Sequence, residues 1–122
     1  MMPFIYISDF MRGLMAALAL RGIKVLPNEE VSLSKAFSRA YQKLEQENQF
    51  NIRFRIKLNP IHQDSLAAID GLYHLAKMKV ISSDSEFIYL KIQGEEALSL
   101  FNSIPGDKEM YDRLTVSFLR SC

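Results

Sequence analysis

Two kinds of residue in this chain of 122 amino acids have types and spacing that could do chemistry. The first is a set of carboxylates at the ends of apolar runs. Asp9 follows Phe4-Ile5-Tyr6-Ile7-Ser8, and Asp84 follows Val80-Ile81-Ser82-Ser83, with Glu86 close behind. Carboxylates converging from such positions would hold a divalent metal such as Mg²⁺, which activates water and neutralises developing charge. His62 with Asp64, two residues apart, and Asp70 with His74, one helical turn apart, offer imidazole and carboxylate donors suited to zinc or manganese. The more ordinary role for those pairs is a surface ion pair, with His62 helping to open a helix. The second kind is cationic. From Phe50 to Pro60, Phe50, Ile52, Phe54, Ile56 and Leu58 share one parity, and Arg53, Arg55 and Lys57 stand on the other. Cations about 6–7 Å apart along an extended chain can follow a phosphate backbone or face an acidic partner. They equally serve as a solvated face that discourages edge-to-edge aggregation. Phosphate-binding loops, dinucleotide fingerprints, HExxH and paired cysteines are absent from the sequence. The single cysteine, Cys122, cannot form an internal disulfide, which fits a reducing compartment.

The elements that must position these residues follow from periodicity. Strict alternation over 50–58 has the period of a strand with one buried wall, in an antiparallel or edge position rather than in the middle of a parallel sheet. Leu33, Ala36, Phe37, Ala40, Tyr41 and Leu44 form one helical stripe, opposite the charged positions Lys35, Arg39, Lys43, Glu45 and Glu47. The alternating strand is expected to pack on this helix. A first helix is expected after Ser8-Asp9 and a third after Asp64 or Ser65, with Leu66, Ile69, Leu72, Tyr73 and Ala76 on its buried side. Met78–Ile81 and Phe87–Ile92, joined by Ser82–Ser85, read as a hairpin. Gly94 opens a further helix, and Asp107 caps a last one carrying Met110, Tyr111, Leu114 and Phe118. The sum is an α+β domain spanning residues 1–122, four to five helices packed on a small, mostly antiparallel sheet.

Composition narrows the function classes. Lys and Arg total 15 against 14 Asp and Glu, so attraction to nucleic acid would rest on local clustering. The apolar run Leu14–Leu20 is too short to span a bilayer and lacks a basic lead, so a cytoplasmic protein without a membrane partner is expected.

Two resemblances bear on function. The strand-end carboxylates resemble those of the NYN branch of the PIN-like nucleases over about a quarter of the chain. That likeness implies metal-dependent phosphodiester hydrolysis with Mg²⁺ or Mn²⁺ held by Asp9 and Asp84, and Asp70 or Glu86 as a third carboxylate. Phe10-Met11 stand where that family usually carries a polar residue. The stretch from Ser65 to Ile92, a helix followed by a hairpin, resembles the helix and wing of a winged-helix domain. It is also similar to the middle components of bacterial ABC-three-component systems. That resemblance implies an accessory subunit, in a bacterial or phage setting, that docks on a partner protein. The helix face that would enter a DNA groove offers Gln63, Asp70 and His74, with Lys77 its only cation, and suits protein contact better. Met11, Met15 and Met78 would suit an adaptable contact surface, as well as filling a core.

The sequence therefore points first to a non-enzymatic binding subunit, without cofactor, that docks on a partner protein or a second copy. Arg53, Arg55 and Lys57 would contact nucleic acid or the partner. The nuclease built on Asp9, Asp70 and Asp84 is the alternative.

Overall fold

A computed structural model describes residues 2–121; Cys122 lies outside the described residues. The chain runs β1 (Phe4–Ile5), α1 (Ile7–Leu20), β2 (Val25–Pro27), α2 (Glu30–Glu47), β3 (Asn51–Ile52), α3 (Leu66–Lys77), β4 (Ile81–Ser83), β5 (Phe87–Leu90), α4 (Gly94–Leu100) and α5 (Lys108–Leu119). β1 and β3 pair in parallel, while β2, β5 and β4 form an antiparallel sheet in that order. The domain is α+β, as its sequence predicts.

α1 is apolar nearly all round and lies at the centre, with Phe10, Met11, Leu14, Met15 and Leu18 fully buried. Met11 and Met15 thus belong to the core and not to a contact surface. α1 begins one turn earlier than Ser8-Asp9 suggests. Tyr6 is the N-cap, and Asp9, at the third helical position, accepts the Tyr6 N–H at 3.0 Å. The carboxylate thereby covers an orphan donor of the first turn.

The close approach of α5 to α1 depends on Gly13. A Cβ at that position would fall 2.1 Å from the ring of the fully buried Tyr111. The Tyr111 hydroxyl donates to the Pro105 carbonyl at 2.9 Å, so the ring is held at both ends. α2 closes the other side of α5. Phe37 meets Phe118 edge-on with centroids 4.9 Å apart, and Arg113 donates to both oxygens of Glu47 at 3.0 and 2.6 Å. The guanidinium holds the Glu47 carboxyl below its ordinary range.

α3 is turned relative to expectation. Its buried residues are Ala68, Gly71 and Leu75, whereas Leu66 is 76% and Tyr73 68% exposed and Ile69 and Leu72 are half-buried. Small residues let the helix lie close on α1, where the Gly71 backbone faces Met11. A stripe of larger side chains would have held it away. Ser65, not Asp64, is the N-cap. Its hydroxyl accepts from Ala68 N–H, and its own N–H donates to Ser34 Oγ at 3.0 Å, a buried polar tie between α2 and α3.

The hairpin is also shifted. Met78 ends α3 instead of opening a strand, Ser82 and Ser83 are in β4, and the turn spans Asp84–Glu86. Pro27, expected to cut off its segment, is the last residue of β2 and pairs with Phe87. It is tolerated because β2 is an edge strand. β3 is likewise shorter than the alternation suggests: only Asn51 and Ile52 are laddered, because β1 gives way to α1 at Tyr6. Residues 53–58 continue with alternating burial, Arg53, Arg55 and Lys57 exposed and Phe54, Ile56 and Leu58 buried or half-buried. Phe54 packs on Phe10 and Tyr41, with centroids 5.2 and 5.5 Å away.

Two substitutions test these packing arguments by thermal or chemical denaturation. Gly13→Ala would ordinarily gain roughly 1 kcal/mol inside a helix. Here it should cost about 1–3 kcal/mol, because the methyl group competes with Tyr111 for space. Lys79 follows α3 in the left-handed region at φ 62°, with the Val80 N–H bonded back to Leu75. Lys79→Gly should therefore stabilise the fold, by up to about 1 kcal/mol.

Candidate nucleic-acid and partner interface

The extended segment after β3 presents the expected cations outward. Asn51 N–H donates to Pro3 and Arg53 N–H to Ile5, both at 2.9 Å, and the Arg53 guanidinium lies 5.0 Å above the exposed Phe4 ring. The Tyr41 hydroxyl donates to the Phe54 carbonyl at 3.3 Å, which pins the segment to α2. Burial pushes the Tyr41 phenol up, against the pull of nearby Arg55. Ile56 is 4% exposed and anchors the middle of the segment.

Open clefts flank this ridge. One, of about 400 Å³, separates Arg55–Leu58 from Ser38, Tyr41, Gln42 and Glu45 of α2. Another, of about 580 Å³, lies between Arg55 and Lys57 and the start of α3, with Pro60, His62, Leu66 and Ala67 on its far wall. Leu58 also borders a third, of about 420 Å³, where Lys35 and Arg39 of α2 meet Arg120 at the end of α5. Exposed cations from three distant stretches thus surround one region. Among the described residues, Lys35, Arg39, Arg53, Arg55, Lys57 and Arg120 make no ion pair. Glu45 and Asp64 stand at the margins. An arrangement of this kind attracts polyanions locally even though the net charge is only +1.

No protein-family model, curated protein or solved structure matches the chain.

The carboxylates have local partners. Asp9 accepts from Tyr6 N–H and pairs with Arg12 at 3.2 Å. Asp84 lies in the β4–β5 turn, where it accepts from Glu86 N–H at 2.9 Å, Phe87 N–H at 2.8 Å and the Tyr89 hydroxyl at 2.8 Å. Asp9 follows β1 of the parallel pair, and Asp84 follows β4 of the antiparallel sheet. Asp70 and His74 are exposed on α3, and the His62 N–H donates to Asn59 Oδ1 within the preceding loop. Among the described residues neither His–Asp pair forms an ion pair, and no group of three or more His, Cys, Asp or Glu is placed to hold a metal.

The second surface feature is a pocket of about 160 Å³ between the outward side of α3 and the hairpin, where Leu33, Ile69, Leu72, Tyr73 and Ile88 are mixed with Asn28, Glu30 and Ser83. The large apolar residues on this side of α3 are the ones expected in the interior from the sequence. Lys35 and Arg39, one turn apart on α2, carried a usable signal as an i, i+4 cation pair; Arg120 joins them only through the packing of α5 on α2.

The hydrogen bonds to Asp84 give a pH prediction. They hold its carboxyl below the ordinary range, with the Phe87 N–H contributing most. A carboxyl whose pKa is depressed by folding contributes stability above its unfolded pKa and loses it as pH falls through the folded one. Amide protection at Glu86 and Phe87, taken relative to intrinsic exchange at each pH, should therefore fall below the ordinary carboxylate range, and Asp84→Ala should lower it in the same way at neutral pH.

Proposed function

We propose that this protein is a non-enzymatic accessory subunit of helix-and-wing type, seated on a partner protein and contacting nucleic-acid phosphates through its basic surface. The observation that carries the proposal is the convergence of Lys35, Arg39, Arg55, Lys57 and Arg120 around adjoining clefts, with no carboxylate ion-pair partner among the described residues. Cations so arranged neutralise phosphates and release counterions without reading bases. The helix-and-wing reading draws support from α3 leading into the β4–β5 hairpin, whose far side is closed by β2 from between the first two helices. Partner docking draws support from the exposed Leu66 and Tyr73 and from the pocket beside Tyr73, in which apolar and polar residues are mixed. A helix face bearing Asp70 and only one cation, Lys77, favours protein over a DNA groove.

Titration of fluorescent single-stranded and duplex oligonucleotides at several salt concentrations tests the phosphate contact. Binding should be nearly independent of sequence. The triple variant Arg53→Ala, Arg55→Ala, Lys57→Ala should remain folded, bind more weakly and lower the salt slope by about 0.7–0.9 per lost contact. Unchanged binding by that variant would remove these residues from the contact. Incubation with Mg²⁺ or Mn²⁺ should leave the oligonucleotides intact. Cleavage lost in both Asp9→Asn and Asp84→Asn would instead establish the nuclease.

A further inference from the structure

The ladder between β1 and β3 stops although one of its two strands continues. Asn51 and Arg53 direct their N–H groups at β1. In extended chain, backbone groups of one parity face one edge, so the N–H groups of Arg55 and Lys57 face the edge that β1 vacates at Tyr6. Among the described residues neither N–H has a hydrogen-bond partner. The neighbouring space is the cleft of about 580 Å³ before α3, which is bordered by Arg55 and Lys57 but not by Ile56. On the opposite edge the Ile56 N–H is also without a partner among the described residues, but the Phe54 carbonyl beside it already accepts from Tyr41, whose side chain stands at that edge.

We infer that this vacated edge accepts an extended segment of a partner protein, in line with β1, and that the segment alternates carboxylate and apolar residues. Strand addition satisfies the free backbone groups. Residues directly opposite one another in a ladder lie on the same face, so Arg55 and Lys57 select Asp or Glu across from them. The other parity of the added strand would turn toward Leu58, Leu66 and Ala67 along the cleft. A second copy of this chain is a poor occupant. Pairing residues 54–58 with themselves sets cation against cation, and a one-residue slip would turn the cations onto the buried face. The inference rests on the partner-docking half of the proposed function and is independent of nucleic-acid binding, since phosphates engage the cationic side chains without needing the backbone.

The test uses the full chain and an end-blocked hexapeptide alternating Glu and Val, observed by amide NMR and calorimetry. The alternating peptide should bind at least tenfold more tightly than a peptide of three Glu followed by three Val. Its analogue N-methylated along the ladder edge should lose at least tenfold in affinity. Amide exchange should slow at Arg55 and Lys57 but not at Ile56. Lys57→Pro, which removes the donor, should weaken peptide binding at least tenfold more than Lys57→Gln, with matching melting temperatures for the two variants. Equal binding of the alternating and block peptides, or protection centred on Ile56, would overturn strand addition. Failure of the alternating peptide with oligonucleotide binding intact would overturn this inference alone. Peptide binding without oligonucleotide binding would support it and count against the phosphate contact.

Discussion

Tyr111 is the largest fully buried side chain, and its ring occupies the space where any residue but glycine at position 13 would place a Cβ. Much of the arrangement depends on that fit. The ring brings α5 against α1, its hydroxyl fixes the loop at Pro105, and its face meets Phe101 with centroids 5.6 Å apart. Burial pushes the phenol pKa well above its ordinary range, so the group stays neutral and serves as a donor. With α5 so placed, Phe118 reaches Phe37 and Arg113 reaches Glu47, which sets α2. The position of α2 in turn sets Tyr41 beneath residue 54 and brings Lys35 and Arg39 toward Arg120. The basic surface is thus a distant product of one close helix contact.

The parts of the fold legible in the sequence are those in which one physical requirement dominates. α2 has a single apolar stripe opposite a charged face, and all of Leu33, Ala36, Phe37, Ala40, Tyr41 and Leu44 are buried as its spacing requires. The parity of residues 50–58 is equally plain, since alternating burial follows from backbone geometry alone. Whether a ladder accompanies that parity is another matter, because it depends on how long the neighbouring strand lasts. β1 ends after two residues for a reason that lies in the capping of α1.

α3 illustrates the opposite case. Leu66, Ala68, Ile69, Leu72, Tyr73, Leu75 and Ala76 surround most of the helix, so periodicity does not choose a face. Side-chain size suggests the larger residues for the interior. Close packing on α1 selects Ala68 and Gly71 instead, because a thin side of one helix can approach another more nearly. Candidate sites divide in the same way. Arg53, Arg55 and Lys57 are legible as local pattern, whereas the neighbourhood they share with Lys35, Arg39 and Arg120 exists only after α2 and α5 have met.

The same contact between Gly13 and Tyr111 governs when the molecule can finish folding during synthesis. Roughly a hundred residues separate the two partners, and a ribosome adding about 5–20 residues per second needs several seconds to bridge them. Throughout that interval α1, whose side chains are the most completely buried in the domain, has no α5 to cover it. Until then part of its apolar surface stays uncovered, although α3 and α4, which also pack on it, emerge earlier. A helix early in the chain whose cover is completed by one about a hundred residues later makes α5 the element that closes the core.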